Sequence, residues 1–493
     1  MITYSNERGR VDVHPAWTTP EIKATIARML SDWEHKLPAD RDTPIVIKPN
    51  LNNDLVALTG NCVDLRVLSG ICAGLRDRGY RDITLCDGSN VGIARRGIST
   101  FRRLRVEKLQ ELYGIKIVDL NHDEGRQIVL HRDAHPQIAK TVLDAGFLIS
   151  VPKIKTHCEA QLSCAMKNWV GIARGQDKRH MHYDLGRNIF AINEVVMPDL
   201  VIVDGIVGME GNGPGDGEPF RFGQLIISDN AFLNDFVVAR LIDLPWTMIP
   251  YLVHAMEAGH MTPALQQDIE LNVPVIRAIK RAPERTKLAE LAEARSLEWL
   301  KRTVRPIVQK PEVTEIAYKL KIVQDVYFLE DDTLKLVGRK AGSCGECNRC
   351  EEFCPTGLTR EEIGVKTEMP DCVQCLYCWW VCPKEALTLE GKPEFMQRQI
   401  DRYKAKIHHL DHKVVRMKEV EMPKEEGFEI PKILKRKRFS KSEPMSEEAA
   451  IERMELVGHD FFLFNNADTK RFAIVYKRKD GYYGIVEPKM END

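Results

Sequence analysis

Eight cysteines in a short part of the chain repeat one spacing twice. Of the 13 cysteines in the sequence, these eight lie between residues 344 and 382, and each half reads C-x2-C-x2-C-x3-C-P. The first residues, "MITYSNERGRVDV", lack the basic-then-apolar order of a secretory signal. We therefore expect these clustered thiols to bind metal rather than to form disulfides.

The cysteine segment resembles a bacterial-type ferredoxin that carries two [4Fe–4S] clusters. In such ferredoxins three thiolates of one run hold three corners of a cubane, and the cysteine before the proline ligates the other cluster. A zinc site is one alternative, although zinc takes four ligands and two interleaved C-x2-C-x2-C runs suit cubanes. A second alternative is that the clusters transfer no electrons and only stabilise the fold of a small domain. The resemblance implies one cluster on Cys344, Cys347, Cys350 and Cys382, and a second on Cys372, Cys375, Cys378 and Cys354.

A second group of reactive side chains lies in "SVPKIKTHCEAQLSCAMKNWVG", residues 150–171. Lysines bind phosphate or carboxylate groups, and they act as acids or nucleophiles when their pKa falls. Clustered lysines lower one another's pKa by like-charge repulsion, and a histidine exchanges a proton near neutral pH. The formal net charge of the chain is −1, which gives no bulk attraction to nucleic acid or to an anionic membrane. The cluster therefore predicts a site for a small anion, with Lys155, His157 and Lys167 as catalytic candidates.

Five nearly continuous apolar runs must position these side chains. They predict buried strands that alternate with helical patterns, which is typical of βαβ units and a largely parallel sheet. The runs are "TPIVIKPN" (43–50), "DITLCDG" (82–88), "IKIVDLN" (115–121), "AGFLISVPK" (145–153) and "PDLVIVDG" (198–205).

Polar residues follow four of these runs. Ligands of open α/β sheets bind outside the carboxyl ends of the strands, so these residues are expected to meet at one rim. A glycine-rich stretch, "GIVGMEGNGPGDGEP", follows the fifth run, although glycine content alone equally predicts a long surface turn. The acidic residues at the rim can balance the lysines, orient His157 or bind a divalent metal ion. The predicted substrate-binding residues are Lys48, Asn50, Asp87, Lys153, Asn168, Asp204, Glu210 and Gly213.

Three motifs resemble the signatures of the family catalogued as domain of unknown function 362, which is frequently fused to a bacterial-type ferredoxin. They are "IVIKPNLN", "PKIKTH…MKNWVGI" and "VDGIVGMEGNGPGDG", and the resemblance covers about residues 40–245. It implies no reaction. It does imply that Lys48, Asn50, Lys153, Lys155, His157, Lys167, Asn168, Asp204, Glu210 and Gly213 occupy signature positions.

The predicted organisation is an α/β domain, a mostly parallel sheet flanked by helices, at residues 1–250. It is followed by a helical linker (251–338), a small α+β ferredoxin-like module (339–392), a long amphipathic helix with a basic linker (393–440) and a small C-terminal α+β docking domain (441–493) with a hairpin near Asp480-Gly481. The apolar stripe of that long helix, residues 396–417, predicts packing against its own chain or a homodimer.

These features together predict a cytoplasmic iron–sulfur oxidoreductase that delivers electrons through two [4Fe–4S] clusters to a small anionic substrate at the rim. Its expected partners are that substrate and an electron-donor or electron-acceptor protein, with no nucleic acid and no membrane span. Two alternatives remain open: a non-catalytic electron-transfer subunit of a larger complex, and a non-redox transferase with structural clusters.

Overall fold

The structure is a computed structural model. It describes residues 1–95, 97–283, 334–340, 342–344, 347–365, 371–391, 394–410, 444–456, 461–477 and 483–486. The chain divides into two compact units, Met1–Val414 and Val415–Asp493. The predicted linker helix "RTKLAELAEARSLEWLKRTV", the basic run after the long helix and the turn at Asp480-Gly481 lie outside the described residues.

The strands, numbered in chain order, build four sheets in the described part of the chain. They are β1 (Ile2–Asn6), β2 (Gly9–Pro15), β3 (Ile45–Pro49), β4 (Ile83–Asp87), β5 (Lys116–Asp119), β6 (Gly125–Gln127), β7 (Gln137–Ala139), β8 (Phe147–Val151), β9 (Lys153–His157), β10 (Gln161–Ser163), β11 (Leu200–Glu210), β12 (Glu218–Ser228), β13 (Lys335–Arg339), β14 (Leu387–Glu390), β15 (Phe461–Asn465), β16 (Phe472–Lys477) and β17 (Tyr483–Val486).

The helices flank these sheets or connect their strands. They are α1 (Thr19–Asp32), α2 (Leu65–Asp77), α3 (Val91–Arg95), α4 (Thr100–Arg103), α5 (Lys108–Tyr113), α6 (Lys140–Leu143), α7 (Ala165–Asn168), α8 (Leu185–Val195), α9 (Ala231–Leu241), α10 (Pro250–Glu257), α11 (Pro263–Asn272), α12 (Arg349–Glu352), α13 (Tyr377–Val381), α14 (Glu394–His409) and α15 (Glu447–Leu456). Among the helices that the structure describes, none is both long and apolar enough to cross a membrane.

The main sheet is mixed and mostly parallel in its centre, which confirms the predicted α/β class. Its order is β1-β2-β12-β11-β8-β3-β4-β5, and the five predicted strands are its β11, β8, β3, β4 and β5. These five pair in parallel, whereas β12, β2 and β1 extend the sheet by antiparallel pairing. The chain leaves β3 towards β4 on one side and later crosses to β8 on the other. This reversal is where open sheets bind ligands.

Helices α1 and α2 cover one face of the sheet. Helix α1 begins with a capping box, in which the Thr18 hydroxyl accepts from the N–H of Glu21 and the Glu21 carboxylate accepts from the N–H of Thr18. Asp64 caps α2 in a similar way by accepting from the N–H of Arg66. The apolar residues of both helices are buried against the sheet in one core, and those of α7–α11 form a second core.

The "PKIKTH" segment differs from the strand-end segment that the sequence predicted. After Pro152 the chain starts a further strand, β9, which pairs with β10 antiparallel and with the distal part of β11 in parallel. Because side chains alternate along a strand, Lys153, Lys155 and His157 share one face.

The glycine-rich stretch is the end of β11, the start of β12 and the turn between them, residues 211–217. A Cβ atom on Gly213 would lie 2.2 Å from the Thr156 carbonyl oxygen, so the turn approaches β9 more closely than any other residue type permits. The N–H of Cys158 donates to the carbonyl of Gly213 at 3.1 Å.

The cysteine segment packs against α1 and α2 within the first unit. Strands β13 and β14 pair antiparallel, and α12 and α13 lie between them in the chain. The ring of Phe353 meets Trp17 edge to face, with centroids 5.6 Å apart, and the Arg66 guanidinium lies over the same ring. The hydroxyl of Tyr377 accepts from the N–H of Leu65 at 3.1 Å.

The described part of the predicted apolar stripe on α14 contacts its own chain. Tyr403 and Ile407 on α14, and Leu410 just after it, are buried in the core that α1 and α2 share. The Gln399 side chain accepts from the N–H of Val56 at 3.1 Å. The intramolecular packing is therefore observed, and a homodimer through residues 396–417 stays a prediction.

The second unit has its own small core. Strands β15, β16 and β17 form an antiparallel sheet, and α15 covers one face of it. The described part of the C-terminal region thus contains one helix and a three-stranded sheet, and its predicted boundaries at residues 441–493 stay a prediction.

Candidate functional site

A cavity of about 330 Å³ lies outside the carboxyl ends of β3 and β4 and beside β9. It is the rim that the strand-end residues predicted. Its lining is mostly basic and amide-bearing: Lys48, Asn50, Asn52, Asp87, Gly88, Asn90, Val91, Gly92, Lys155, His157, Ser163, Lys167, Asn168, Val170, Gly171, Lys178, Arg179, His182 and Pro214.

A buried ion pair lies at the floor of the cavity. Lys48 Nζ is 2.7 Å from Asp87 Oδ1, and both side chains are at most 2% exposed. The other Asp87 oxygen accepts from the N–H of Leu51. A Cβ on Gly171 would lie 2.7 Å from Lys48 Nζ and 2.8 Å from Asp87 Oδ1. Glycine at this position therefore lets the backbone of the following helical turn close over the pair.

Asn168 connects the ends of two strands, β3 and β8. Its Oδ1 accepts from Lys48 Nζ at 2.9 Å, and its Nδ2 donates to the Lys48 carbonyl and to Ser150 Oγ, both at 3.0 Å. A weaker contact of 3.4 Å joins Asn50 to the same oxygen. The predicted residues Lys48, Asn50 and Asn168 are thus brought together.

The short helix α7, which carries Lys167 and Asn168, is held by a residue that the sequence reasoning missed. Asp235 of α9 is buried, and its two oxygens accept from the N–H groups of Ala165 and Met166 at 2.8 and 3.0 Å. It satisfies the first donors of α7 from 70 residues away. Burial raises the pKa of Asp235 to about 6.

Lys155 is fully fixed by amide oxygens. Its Nζ donates to Asn50 Oδ1 at 3.1 Å and to the Asn61 carbonyl at 2.9 Å. Burial lowers its pKa to about 8, and the nearby lysines add to this effect.

Lys167 lines the same cavity without such partners. In the part of the chain that the structure describes, its Nζ makes neither a hydrogen bond nor an ion pair. Burial again lowers the pKa to about 8, and the charge of Lys48 contributes in the same direction.

Lys178 is a further cavity lysine that the sequence reasoning missed. It lies in the 3-10 helix Gly175–Tyr183, and its Nζ donates to the Ala173 carbonyl and the Asn121 side chain. Burial lowers its pKa to about 8. It follows no predicted strand, and the only sequence signal was its place in the basic run "KRHMH".

His157 lines the cavity with a defined ring orientation. Its Nδ1 accepts from the N–H groups of Glu159 and Ala160 at 3.1 and 3.2 Å. A neutral His157 therefore carries its proton on Nε2.

Four predicted substrate-binding residues do not line this cavity. Lys153 and Asp204 form a fully buried ion pair of 2.7 Å, in which the same Asp204 oxygen also accepts from the N–H of Asp64. Glu210 accepts from the N–H of Lys280, which the residues after α11 bring alongside it. Gly213 contributes the close turn on β9, and its neighbour Pro214 reaches the cavity.

The cysteines of the two predicted ligand sets surround two separate small cavities. One is lined by Cys344, Cys347, Cys350 and Cys382, and the other by Cys354, Cys372, Cys375 and Cys378. Among the described residues, no group of three or more His, Cys, Asp or Glu side chains is close enough to hold a single metal ion. A cubane spreads its four thiolates around four iron atoms, and each of the two cavities is lined by four cysteines.

Donors already approach the sulfur atoms. Arg339 donates to the sulfur atoms of Cys344 and Cys350 at 3.5 and 3.7 Å, and the N–H groups of Leu358 and Ala386 donate to those of Cys354 and Cys382, both at 3.3 Å. Such donors stabilise thiolate ligands, so the donor set fits two iron–sulfur clusters.

Comparison with known proteins assigns two regions. Residues 45–240 match the family described as domain of unknown function (DUF362), and residues 429–485 match the sigma 54 modulation/S30EA ribosomal protein C terminus. The first region includes β3, β4, β9 and α7, and every cavity-lining residue named above lies within it. The cysteine segment lies between the two matched regions.

Two curated proteins are similar to parts of the chain. The thylakoid-associated protein sll1697 of Synechocystis is 31% identical over 147 residues, which is 28% of this chain and 46% of that protein. The ribosome hibernation promotion factor of Bacillus subtilis is 48% identical over 56 residues, which is 11% of this chain and 29% of that protein. The chain thus spans less than half the length of these relatives.

Solved structures with partial similarity include the lactate racemase apoprotein from Thermoanaerobacterium thermosaccharolyticum. It is 12% identical with a TM-score of 0.31, and the match covers 46% of this chain and 56% of that chain. A protein from Thermotoga maritima is 11% identical with a TM-score of 0.26 over 42% of this chain and 54% of that one.

Proposed function

We propose that this protein is a cytoplasmic iron–sulfur oxidoreductase that reduces a small anionic substrate in the cation-lined cavity. The observation that carries the proposal is the occurrence, within one compact unit, of two four-cysteine sets and a cavity with four buried or partly buried lysines. When bound, two [4Fe–4S] clusters supply electrons one at a time.

The chain's own residues account for anion binding. Lys155, Lys178 and Arg179 line the cavity, and Asp87, the one carboxylate among the described lining residues, is already paired with Lys48. A phosphate or carboxylate group in the cavity would therefore meet several cationic donors. Lys155, Lys167 and the Nε2–H of His157 are the groups suited to give a proton to the reduced substrate.

A short segment contacts both the cysteine region and the cavity. Leu65 donates to Tyr377, which lies between two cysteines of the second set, and the Asn61 carbonyl accepts from Lys155. The cavity and the second cysteine set are thus linked by five residues of backbone, an arrangement that favours electron delivery over clusters that only stabilise the fold.

The test is anaerobic. The clusters are reconstituted with iron and sulfide, and the protein is reduced with dithionite. Its visible absorbance is then followed after addition of small phosphate or carboxylate compounds. We expect at least one compound to reoxidise the protein, and Lys155→Ala and His157→Ala to slow this about 100-fold or more. Lys116→Ala, at an exposed lysine paired with Asp82, is the matched control. Equal reoxidation rates in all three variants would contradict the proposed site.

A second candidate function is that of an electron-transfer subunit that docks through its C-terminal unit. The match of residues 429–485 to the S30EA ribosomal protein C terminus, beside the 48% identity of 56 residues to a ribosome hibernation promotion factor, favours a binding role for the unit. We propose ribosomes or ribosome-associated protein as the first partner to test, by sedimentation of the full chain with purified ribosomes. This second function would be favoured if the chain co-sediments with ribosomes and if Lys155→Ala and His157→Ala leave the reoxidation rate unchanged.

A further inference from the structure

The lysines that line the cavity differ in what their amines already bind. Lys48 is held by Asp87 and Asn168, Lys155 by two amide oxygens, and Lys178 by Asn121 and a carbonyl. Lys167 alone among these four has no hydrogen bond or ion pair to the described residues. Its amine can therefore approach a bound molecule without first breaking an interaction.

Burial gives the Lys167 amine a larger neutral fraction near neutral pH than the amine of an exposed lysine has. Burial and the positive charge of Lys48 lower the pKa to about 8, while Glu159 and Cys158 act in the opposite direction. Glu159 is 3.1 Å from His182, so its charge is shared with that imidazole. A neutral lysine that is desolvated beside other cations is the form that attacks carbonyl carbons.

The remaining cations define what the molecule must carry. Lys155, Lys178 and Arg179 line the cavity, and Asp87 is the one carboxylate among the described lining residues. A cavity of about 330 Å³ lies at the small end of ligand sites. A small molecule with two negative charges would neutralise this excess better than a monoanion.

We infer that Lys167 forms an imine with the carbonyl group of a small substrate that carries two negative charges, such as an oxo dicarboxylate or a phosphorylated aldehyde or ketone. The inference uses the same cavity as the proposed function and rests on its assignment as a substrate site. The neutral Nζ attacks the carbonyl carbon, and the carbonyl oxygen leaves as water with the two amine hydrogens. No electrons are gained or lost, so no oxidant or reductant is needed.

Reductive trapping tests the inference on the intact protein with its clusters oxidised. The probes are 2-oxoglutarate for the dicarboxylate source, pyridoxal 5′-phosphate for the phosphate source, and pyruvate as the monoanion. Each is incubated with sodium cyanoborohydride, and the modified lysine is located by peptide mass spectrometry. We expect Lys167 to be the main modified residue, with a dianion reacting at least about tenfold faster than pyruvate at equal concentration.

The pH dependence distinguishes Lys167 from an ordinary lysine. Between about pH 7 and about pH 9 the neutral fraction of an amine with a pKa of about 8 rises about tenfold, whereas that of an unperturbed lysine rises about a hundredfold. Exposed Lys116 serves as the internal reference, because it is paired with Asp82 at the surface. We expect the two labelling rates to follow these two slopes.

Two variants complete the test. Lys167→Arg keeps the positive charge and should abolish the adduct, and its thermal transition shows whether the protein is still folded. Lys178→Gln keeps the Lys167 amine and should raise the dianion concentration needed for half-maximal trapping about tenfold or more. The faster probe identifies the source of the two charges.

Three results would overturn the inference: modification mainly at Lys155 or Lys178, no preference for a dianion, or no adduct with any probe. Trapping needs no electron transfer. Absence of an adduct in a protein that still shows substrate-dependent reoxidation overturns the imine and leaves the proposed function standing. An adduct in a protein that no compound reoxidises does the reverse.

Discussion

Replacing Lys153 by methionine tests the buried ion pair between Lys153 on β9 and Asp204 on β11. Lys153 Nζ and Asp204 Oδ2 are 2.7 Å apart, and both side chains are 0% exposed. Methionine has a similar length and no charge. The Asp204 carboxylate would still accept hydrogen bonds from the N–H groups of Asp64 and Ile206. It would lose the only cationic partner that it has within hydrogen-bond distance among the described residues.

The expected loss follows from the burial of the pair. Removing one partner of a buried ion pair lowers the free energy of unfolding by about 3–5 kcal/mol, because the remaining charge is uncompensated. This corresponds to about 100-fold to several thousandfold in the unfolding equilibrium constant. The double variant Lys153→Met/Asp204→Leu should be less destabilised than the sum of the two single variants. It would not return to wild type, since two backbone N–H groups lose their acceptor at about 1–3 kcal/mol each.

Urea unfolding of the first unit, followed by tryptophan fluorescence and far-ultraviolet circular dichroism, measures these values. The matched control is Lys116→Met, because the exposed Lys116–Asp82 pair should contribute less than about 1 kcal/mol. The prediction would be contradicted if Lys153→Met lowered the free energy of unfolding to within about 1 kcal/mol of the control. It would also be contradicted if the losses in the Lys153→Met and Asp204→Leu variants simply added up in the double variant.

Four further changes have defined outcomes. Cys347→Ala should halve the iron content in a colorimetric iron assay, whereas Cys72→Ala, at a buried cysteine outside the two sets, should leave it unchanged. Arg339→Gln should make one midpoint potential more negative in a titration followed by electron paramagnetic resonance, because a cation that donates to two cysteine sulfurs is lost. Asp235 has a folded pKa of about 6, above its unfolded value, so the folded state holds the extra proton. Stability should therefore fall by up to about 3 kcal/mol as pH rises from about 4 to above 6, and Asp235→Asn should flatten this slope in urea titrations. Gly171→Ala should weaken dianion binding about tenfold or more in calorimetry, because the new methyl group overlaps the ion pair at the cavity floor.

The sheet and much of the cavity followed from sequence because both depend on local patterns. Continuous apolar runs marked the five parallel strands, and the rule that ligands bind at carboxyl strand ends brought Lys48, Asn50 and Asp87 to one rim. Short sequence separation also linked Lys155 to Lys167. The strands and their polar ends are local features, so each can be predicted from one short segment without knowledge of the tertiary packing.

The remaining site residues depend on long-range packing. Asp235 reaches α7 from another helix, and Lys178 enters from a 3-10 helix that has no apolar period. Lys153 shares a face of β9 with Lys155, but Lys153 forms an ion pair with Asp204 on the neighbouring β11. The alternation of side chains along a strand shows which residues share a face of the sheet. Only the neighbouring strand determines which of these side chains is free to contact a ligand.

The apolar stripe on α14 shows the same limit. Its spacing is equally suited to a second copy and to the chain's own core. Tyr403 and Ile407 are buried because the residues around Val56 and Gly215 lie opposite them. Periodicity predicts that a face is covered but does not identify what covers it.

The five residues from Asn61 to Leu65 give the cavity a dependence on the maturation of the cysteine segment. Lys155 is positioned by the Asn61 carbonyl, and Leu65 at the other end is held by the Tyr377 hydroxyl. A chain whose cysteine segment has not yet folded lacks the second of these anchors, so we expect the Asn61 carbonyl to hold Lys155 less firmly. If the proposed clusters are held by the cysteine segment, the position of Lys155 would then depend on their assembly, which couples the proposed anion site to the proposed electron carriers.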